Sequence, residues 1–363
     1  MNILISAYAF HPSVGGLEEQ ARLLALEWIK IGHNVDVLTE KEYPGQADFE
    51  VYHGISIYRI PYVKERTVLD HCKIIYNLSV FIIKNRKKYS FAMLRAAITL
   101  YPLIFGFWKL FRVIQYSTYV TADTGGENDE VSLIKRLPLY PLLRPIYAAH
   151  NYYNSICEAN SFHYQEIAIP THKLTTIPNG ILLSDHQYRK PLQIRTFLFL
   201  GRLFVYKGIR DLLAAFKKYY KEYPDAKLII GGVGPEASYV TKFIKNNQLE
   251  AAVEYLGLVA NKDKEAFFAR GDCLVLPSYS EGFPISILEA MKYNKAIITT
   301  DVSDLKTLFS DMLHFCDIRN SDDLYTTMKN LKKSYSPITL QYQKYLKNHD
   351  VKFIAKKIIA LNT

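Results

Sequence analysis

Cysteine is scarce in this chain, with four residues in 363 (Cys72, Cys157, Cys273 and Cys316), and no two of them form a C-x-x-C pair. That excludes a disulfide framework or a zinc ribbon as the source of stability and fits a reducing compartment. Long apolar runs are missing too. The longest, Phe91 to Trp108, is interrupted by Arg95 and Pro102. It falls short of the roughly 20 residues that span a bilayer. The opening MNILISAYAF has no basic flank and too little apolar length for a secretory signal, so a buried first strand is expected there. A cytoplasmic location follows as the expectation. Apolar residues at 49% and charged residues at 22% argue against disorder, and the length allows two α/β domains with separate cores.

Acidic residues are absent from one long stretch. Between His71 and Ala122 there is no Asp or Glu, while Lys73, Lys84, Arg86, Lys87, Lys88, Arg95, Lys109 and Arg112 all fall there. Aromatics are interleaved, among them Tyr76, Phe81, Phe107, Trp108 and Phe111. Cations mixed with aromatic anchors suit an anionic membrane surface or an anionic, lipid-linked substrate. Peripheral contact with the inner face of a membrane is the resulting expectation; a solvated helix face over ordinary core aromatics is the plainer alternative. The chain carries no recognised nucleic-acid reader motif, so its net charge of +10 is not assigned to that partner.

What is present is a repeated strand, turn and helix. Asn2–Ala7 reads as a strand, Glu18–Ile31 as an amphipathic helix stopped by Gly32 and His33, and Asn34–Thr39 as the next strand. A second series starts at Thr196–Leu200 and alternates through the strands Lys227–Ile230, Val253–Leu256, Cys273–Leu276 and Ala296–Thr299. Each half is expected to be a doubly wound, Rossmann-like domain with a parallel sheet. The expected division is 1–185 and 186–344, with a polar join near Ile181–Leu192 and a closing helical segment, 345–363, returning to the first domain. In such folds ligands bind beyond the carboxyl ends of the strands.

The most informative segment lies there. PSYSEGFPISILEAMKYNKAIITTD, Pro277 to Asp301, follows an apolar strand and opens a helix near Pro284. Gly282, Phe283, Pro284 and Ile285 thus lead into a helix amino terminus, whose free N–H groups and dipole favour phosphate. Glu281 on the loop can reach sugar hydroxyls, and Glu289 on the helix can take both hydroxyls of a ribose. A second segment, Gly201-Arg202-Leu203 followed by Lys207-Gly208, places two cations directly after a strand, where they can neutralise a diphosphate. Gly15-Gly16-Leu17-Glu18 follows the first strand; Ser13 capping a plain helix start is the ordinary account of it. Gly232-x-Gly234-x-x-Ala237 matches a dinucleotide fingerprint in isolation. However, Pro235 interrupts the turn and no acidic residue clearly follows the next strand at the expected offset.

Together these segments resemble the retaining glycosyltransferases of family 4. The resemblance rests on the E-x7-E pair Glu281 and Glu289 within EGFPISILEAM, on G-R-x4-K-G and on G-G-x-E. It implies the GT-B architecture, two Rossmann-like doubly wound parallel-sheet domains facing a central cleft. It also implies an acceptor-binding first domain and a second domain that binds the nucleotide sugar. By the same likeness Arg202 and Lys207 hold the donor pyrophosphate and Glu281 the sugar, while Glu289 holds the ribose. Gly15, Gly16, Gly232 and Gly234 would let backbone approach the donor. The implied partners are a UDP- or GDP-linked sugar and a lipid-linked or glycan acceptor, with no metal and no further cofactor. Same-face attack assisted by the leaving diphosphate is the implied mechanism.

Two departures matter. Where many members carry a His after a first-domain strand, this chain has Asp123 within TADTGGENDE; Asp123 becomes a catalytic candidate, with Glu127 beside it. After Asp301 the family's Gly-Gly-x-x-Glu is replaced by Val302-Ser303-Asp304-Leu305-Lys306. A non-catalytic nucleotide-sugar-binding scaffold and a nucleotide-sugar epimerase remain the alternative functions.

Overall fold

The apolar runs become strands. In chain order the first part of the molecule runs β1 (Asn2–Ala7), α1 (Gly16–Lys30), β2 (Asn34–Glu40), β3 (Phe49–Tyr52), β4 (Ile55–Ile60), α2 (Val68–Lys84) and β5 (Phe91–Arg95). It continues with α3 (Leu100–Leu110), β6 (Ser117–Thr121), α4 (Tyr140–Ala148), β7 (Tyr152–Ser155), α5 (Ser161–Glu166) and β8 (Leu174–Thr176). The computed structural model describes every residue except 14, 63–66, 96–99, 122–139, 159–160, 167–168, 184–187, 189–190, 304 and 335–338. The chain divides into two units, Met1–Leu182 with His349–Thr363, and Leu183–Asn348.

The first unit is built on a sheet of order β3-β4-β2-β1-β5-β6-β7-β8. Every neighbouring pair is parallel except β3–β4. β1 is central: Ile3 lies opposite Val35 on one side and Phe91 on the other. Because side chains alternate across a strand, β1 feeds both faces of the sheet. Ile3 and Ile5 pack with Ala21, Leu24 and Trp28 of α1. Leu4 packs on the opposite face with Ile74, Leu78 and Ile82 of α2 and Tyr101, Ile104 and Phe105 of α3. The apolar run from Phe91 is thus divided between a buried strand and a separate helix. No helix among the described residues is long and apolar enough to cross a membrane.

The β3–β4 hairpin was not foreseen from the sequence. Its turn is His53-Gly54, with φ of 49° and 83°. Two successive positive φ values are what a two-residue hairpin matching the strand twist requires. Gly106 has a similar local reason. A Cβ there would lie 2.4 Å from the Ile146 carbonyl oxygen, so only glycine lets α3 pass this close to α4.

The second unit runs β9 (Thr196–Leu200), α6 (Ile209–Glu222), β10 (Lys227–Gly231), α7 (Ala237–Asn246), β11 (Val253–Gly257), α8 (Lys264–Ala269) and β12 (Cys273–Leu276). It continues with α9 (Ile285–Lys292), β13 (Ala296–Thr300), α10 (Leu305–Phe309), β14 (His314–Cys316), α11 (Ser321–Ser334) and α12 (Thr339–Leu346). Its sheet is parallel throughout, in the order β11-β10-β9-β12-β13-β14. Strands are added outward from β9 in one direction and, from β12, in the other. The β9–β12 junction is therefore the topological switch point, where loops leaving the strand ends diverge and open a crevice.

The closing segment is two helices, not the single one expected from its continuous amphipathic pattern. α12 ends in a short 3-10 turn, Lys347–His349, and α13 (Val351–Asn362) starts afresh. Asp350 caps α13 by accepting a hydrogen bond from the Lys352 N–H. α13 packs on the first unit, where the Trp28 indole donates to the Ala355 carbonyl at 3.0 Å and Ile354 and Ile358 join the α1 core.

Candidate functional site

Two loops flank the switch point of the second unit. One follows β9 and carries Gly201, Arg202 and Lys207; the other follows β12 and carries Ser278 to Pro284. The structure brings them into contact. The Lys207 ammonium donates to Glu281 Oε1 at 2.5 Å, and both side chains are largely buried. The Tyr279 N–H donates to the Tyr206 carbonyl at 2.7 Å, fastening loop to loop. Gly208 makes this approach possible. It sits at φ 69°, and a Cβ on it would lie 1.9 Å from the Pro277 carbonyl oxygen.

Glu281 is held from three sides. Besides Lys207, the Ser278 hydroxyl donates to its Oε1 at 2.7 Å, and the Ser303 hydroxyl donates to its backbone carbonyl. Both carboxylate bonds fall on Oε1, which leaves Oε2 able to accept from a sugar hydroxyl. Further down, the Thr300 hydroxyl donates to the Ser278 carbonyl and the Thr299 hydroxyl to the Leu276 carbonyl at 3.0 Å. Hydroxyls along and just after β13 thus pin the loop that leaves β12. The departure from the family pattern after Asp301 has a structural counterpart: Ser303 adopts the left-handed φ of 54° that a glycine would take without strain. Asp304 lies outside the described residues.

Arg202 is exposed. Its guanidinium stacks over the Phe204 ring at 5.2 Å and donates to the Tyr206 hydroxyl at 3.2 Å. The glycine turn after β10 packs directly beneath this loop. Gly232, at φ 148°, faces the Gly201 carbonyl, where a Cβ would stand only 1.8 Å away. Gly234, at φ 154°, faces the Leu203 carbonyl at 2.5 Å by the same measure. The Glu236 N–H donates to Leu203 O at 3.0 Å, and the Glu236 carboxylate is engaged by Arg210. The turn therefore serves as a support for the Arg202 loop in this chain.

Pro284 is the N-cap of α9 and Ile285 its first helical residue, one position later than read from the sequence. Phe283 is buried beside Phe309, with ring centroids 6.3 Å apart, and Gly282 lies at the same helix entry. Glu289, on α9, is paired with Lys264 of α8, whose ammonium donates to Oε1 at 2.6 Å. Burial pulls the nearby Lys292 ammonium below its ordinary pKa, opposed by the charge of Glu289. Burial, followed by the hydrogen bond to Asp211, pushes the Tyr279 phenol up to about 12, so that it stays a donor at neutral pH.

Sequence reasoning missed Ser278, Ser303, Lys264 and the Arg210–Glu236 pair. None is a signature position of a motif: Ser278 and Ser303 hold Glu281, Lys264 holds Glu289, and Glu236 reaches the Leu203 carbonyl. In the first unit Gly15 is the N-cap of α1, extended at φ −165°, and Gly16 is its first residue. No side chain caps that helix, so the Ser13 cap is not formed. Both glycines follow β1, the switch-point strand of their own sheet. Asp123 and Glu127 lie outside the described residues. His150 is fully buried, its Nε2–H donating to the Pro102 carbonyl at 2.8 Å. Burial lowers its pKa to about 4, and the neighbouring Lys109 and Lys173 add to that, so it is a neutral core histidine.

Comparison with known proteins agrees with this geometry. Residues 184–350 match the family model described as "Glycosyl transferases group 1". The "Phosphatidylinositol N-acetylglucosaminyltransferase GPI3 subunit" of Saccharomyces cerevisiae is 24% identical over 347 residues, covering 89% of this chain and 73% of that protein. Sucrose-phosphate synthase from Thermosynechococcus elongatus superposes with a TM-score of 0.77 at 16% identity, covering 99% of this chain and 98% of that one. A structure described as "Trehalose-6-phosphate from E. coli bound with UDP-2-fluoro glucose" gives 0.75 at 10% identity, covering 100% and 99%. The chain therefore has the fold of the GT-B glycosyltransferases, and its second unit carries the match to their group 1 family.

Proposed function

We propose that this protein is a retaining, family 4 hexosyltransferase that uses a UDP- or GDP-linked sugar. Its acceptor is a lipid-linked or glycan molecule of cell-envelope polysaccharide or glycolipid synthesis, met at the cytoplasmic face of a membrane. The observation that supports this best is the Lys207–Glu281 contact. It joins the two motifs, 74 residues apart, at the switch point of a parallel sheet. The yeast relative, named as a transferase acting on a phosphatidylinositol lipid, supports the lipid-linked acceptor.

In this reading Arg202 and two of the three Lys207 donors bind the diphosphate, the third staying on Glu281. Glu281 Oε2 orients the sugar, Glu289 takes the ribose hydroxyls, and the α9 amino terminus faces the phosphates. Gly15 and Gly16 serve the donor from the first unit, and Asp123 orients a hydroxyl there. The bond from the anomeric carbon to the diphosphate breaks with its electron pair on the phosphate oxygen. The acceptor oxygen bonds to the same face, and its proton passes to the departing phosphate. Charge stabilisation and positioning carry the rate, and the scheme needs no metal ion.

A thermal-shift series with UDP, GDP, ADP and nicotinamide dinucleotide tests it. One nucleoside diphosphate should stabilise the protein, and the effect should vanish in Arg202→Ala. No response, or one indifferent to Arg202, would remove the donor site and favour a scaffold role.

A further inference from the structure

The outer surface of the α2–α3 layer is far more apolar than that of α6 or α7 in the second unit. On α6 the outward positions are Arg210, Lys218, Lys221 and Glu222, and on α7 they are Thr241, Lys242 and Lys245, all polar. α2 is apolar on both sides. Ile74, Leu78 and Ile82 point into the core, yet Val68, Leu69 and Tyr76 are 81%, 74% and 68% exposed, and Ile75 and Ile83 are exposed as well. Leu69, Cys72, Tyr76 and Ile83 follow helical spacing, so they make a stripe along the face opposite the core.

α3 continues the surface. It is tied to α2 by the Trp108 indole, which donates to the Ser79 hydroxyl at 3.1 Å. Just beyond that tie the Phe107 and Phe111 rings meet at a tilt, with centroids 4.8 Å apart, and stay exposed, with Leu110 between them in sequence.

The charge on this face is predominantly positive. Exposed Lys73, Lys84, Arg86, Lys87 and Arg112 border the apolar stripe. The one carboxylate on α2 is Asp70, turned back into the capping box with Thr67 and within 3.6 Å of Lys73. From His71 to Thr121 there is no other acid to offset the cations.

We infer that the α2–α3 face docks on an anionic lipid surface, with Leu69, Tyr76, Phe107 and Phe111 entering the interfacial layer and the cations meeting lipid phosphates. The inference deepens the acceptor half of the proposed function, and its test is read without turnover. A second copy of this chain is the disfavoured occupant, since two such faces would bring their cations together. An apolar stripe rimmed by cations has the two components that reversible surface binding needs.

The test is sedimentation of the full chain with vesicles of phosphatidylcholine alone and of phosphatidylcholine with about a third phosphatidylglycerol. Binding to the anionic vesicles should exceed binding to the neutral ones by at least about tenfold and weaken as salt is raised. Lys84→Glu with Lys87→Glu should abolish the preference, and Leu69→Ser with Tyr76→Ser should lower binding on both vesicles. All four side chains are exposed, so both double variants should melt as the unmodified protein does and keep its nucleoside-diphosphate response. Equal binding by the three proteins overturns the inference. So does a purified dimer that the variants dissociate while vesicles capture nothing. Loss of the nucleotide response in the unmodified protein would instead strike the proposed function.

Discussion

Glu289 can serve a ribose only if its carboxylate is fixed in place, and Lys264 holds it. The ammonium takes Oε1 at 2.6 Å and leaves Oε2, with the remaining lone pair of Oε1, for hydroxyls. If that is its role, Lys264→Met should weaken the enzyme's hold on the ribose more than on the phosphates. A hydrogen bond to a charged group contributes about 1.5–3 kcal/mol, so the 2′-hydroxyl should be worth roughly tenfold or more in affinity to the unmodified protein. In the variant, the ratio of affinities for a nucleoside diphosphate and its 2′-deoxy form should fall towards unity, and Lys264→Arg should restore part of it. Equal weakening toward both nucleotides would reduce Lys264 to a structural partner. At this scale the sequence was legible only where function is written in short motifs. Glu281 and Lys207 stood out because their neighbours form a recognisable string. Lys264 and Ser303 did not, because they lie 25 residues before Glu289 and 22 after Glu281 and meet them only once strands have set the loops side by side.

The β9–α6 and β12–α9 loops are held against one another by a glycine with no room for a side chain. Gly208 combines a left-handed φ of 69° with a carbonyl 1.9 Å from where Cβ would lie. Gly208→Ala therefore meets both backbone strain, about 1–2 kcal/mol, and an overlap that must push the loops apart, about 1–3 kcal/mol more. The expected result is a lower melting temperature together with loss of the nucleoside-diphosphate response, because Lys207 is the preceding residue. Retention of that response in a destabilised variant would mean that donor binding does not depend on the loop contact. Element type was readable where burial is uniform. β9 and β12, buried almost throughout, appear as uninterrupted apolar runs, and their ends fell where the sequence placed them. Reading failed where amphipathicity ran on through a break. From 339 to 361 the pattern continues, so only the Asp350 cap marks the restart at α13. The His53-Gly54 hairpin was missed because β3 is a half-exposed strand of four residues without an apolar run.

At the scale of the molecule the chain leaves its first unit at Leu183 and returns at His349, so the first unit is completed by residues that follow the whole second unit in sequence. α13 fills the α1 face of the first sheet: Val351, Ile354, Ala355 and Ile358 are each at most 3% exposed, and the Ala355 carbonyl satisfies the buried Trp28 indole. Each fully buried aliphatic side chain contributes about 1.5–3 kcal/mol, so three of them approach the whole stability of an ordinary domain, about 5–15 kcal/mol. The sequence holds only two tryptophans, Trp28 and Trp108, and both lie in the first unit, so selectively excited tryptophan fluorescence reports on that unit. A chain ending at Asn348 should show red-shifted emission and a weakened or absent cooperative transition by fluorescence. Amide exchange should stay slow in β9, β10, β12 and β13, whose contacts lie within Leu183–Asn348. Unchanged emission and an unshifted denaturant midpoint would make α13 an accessory helix. Loss of exchange protection in both units would show instead that neither holds its structure without the other.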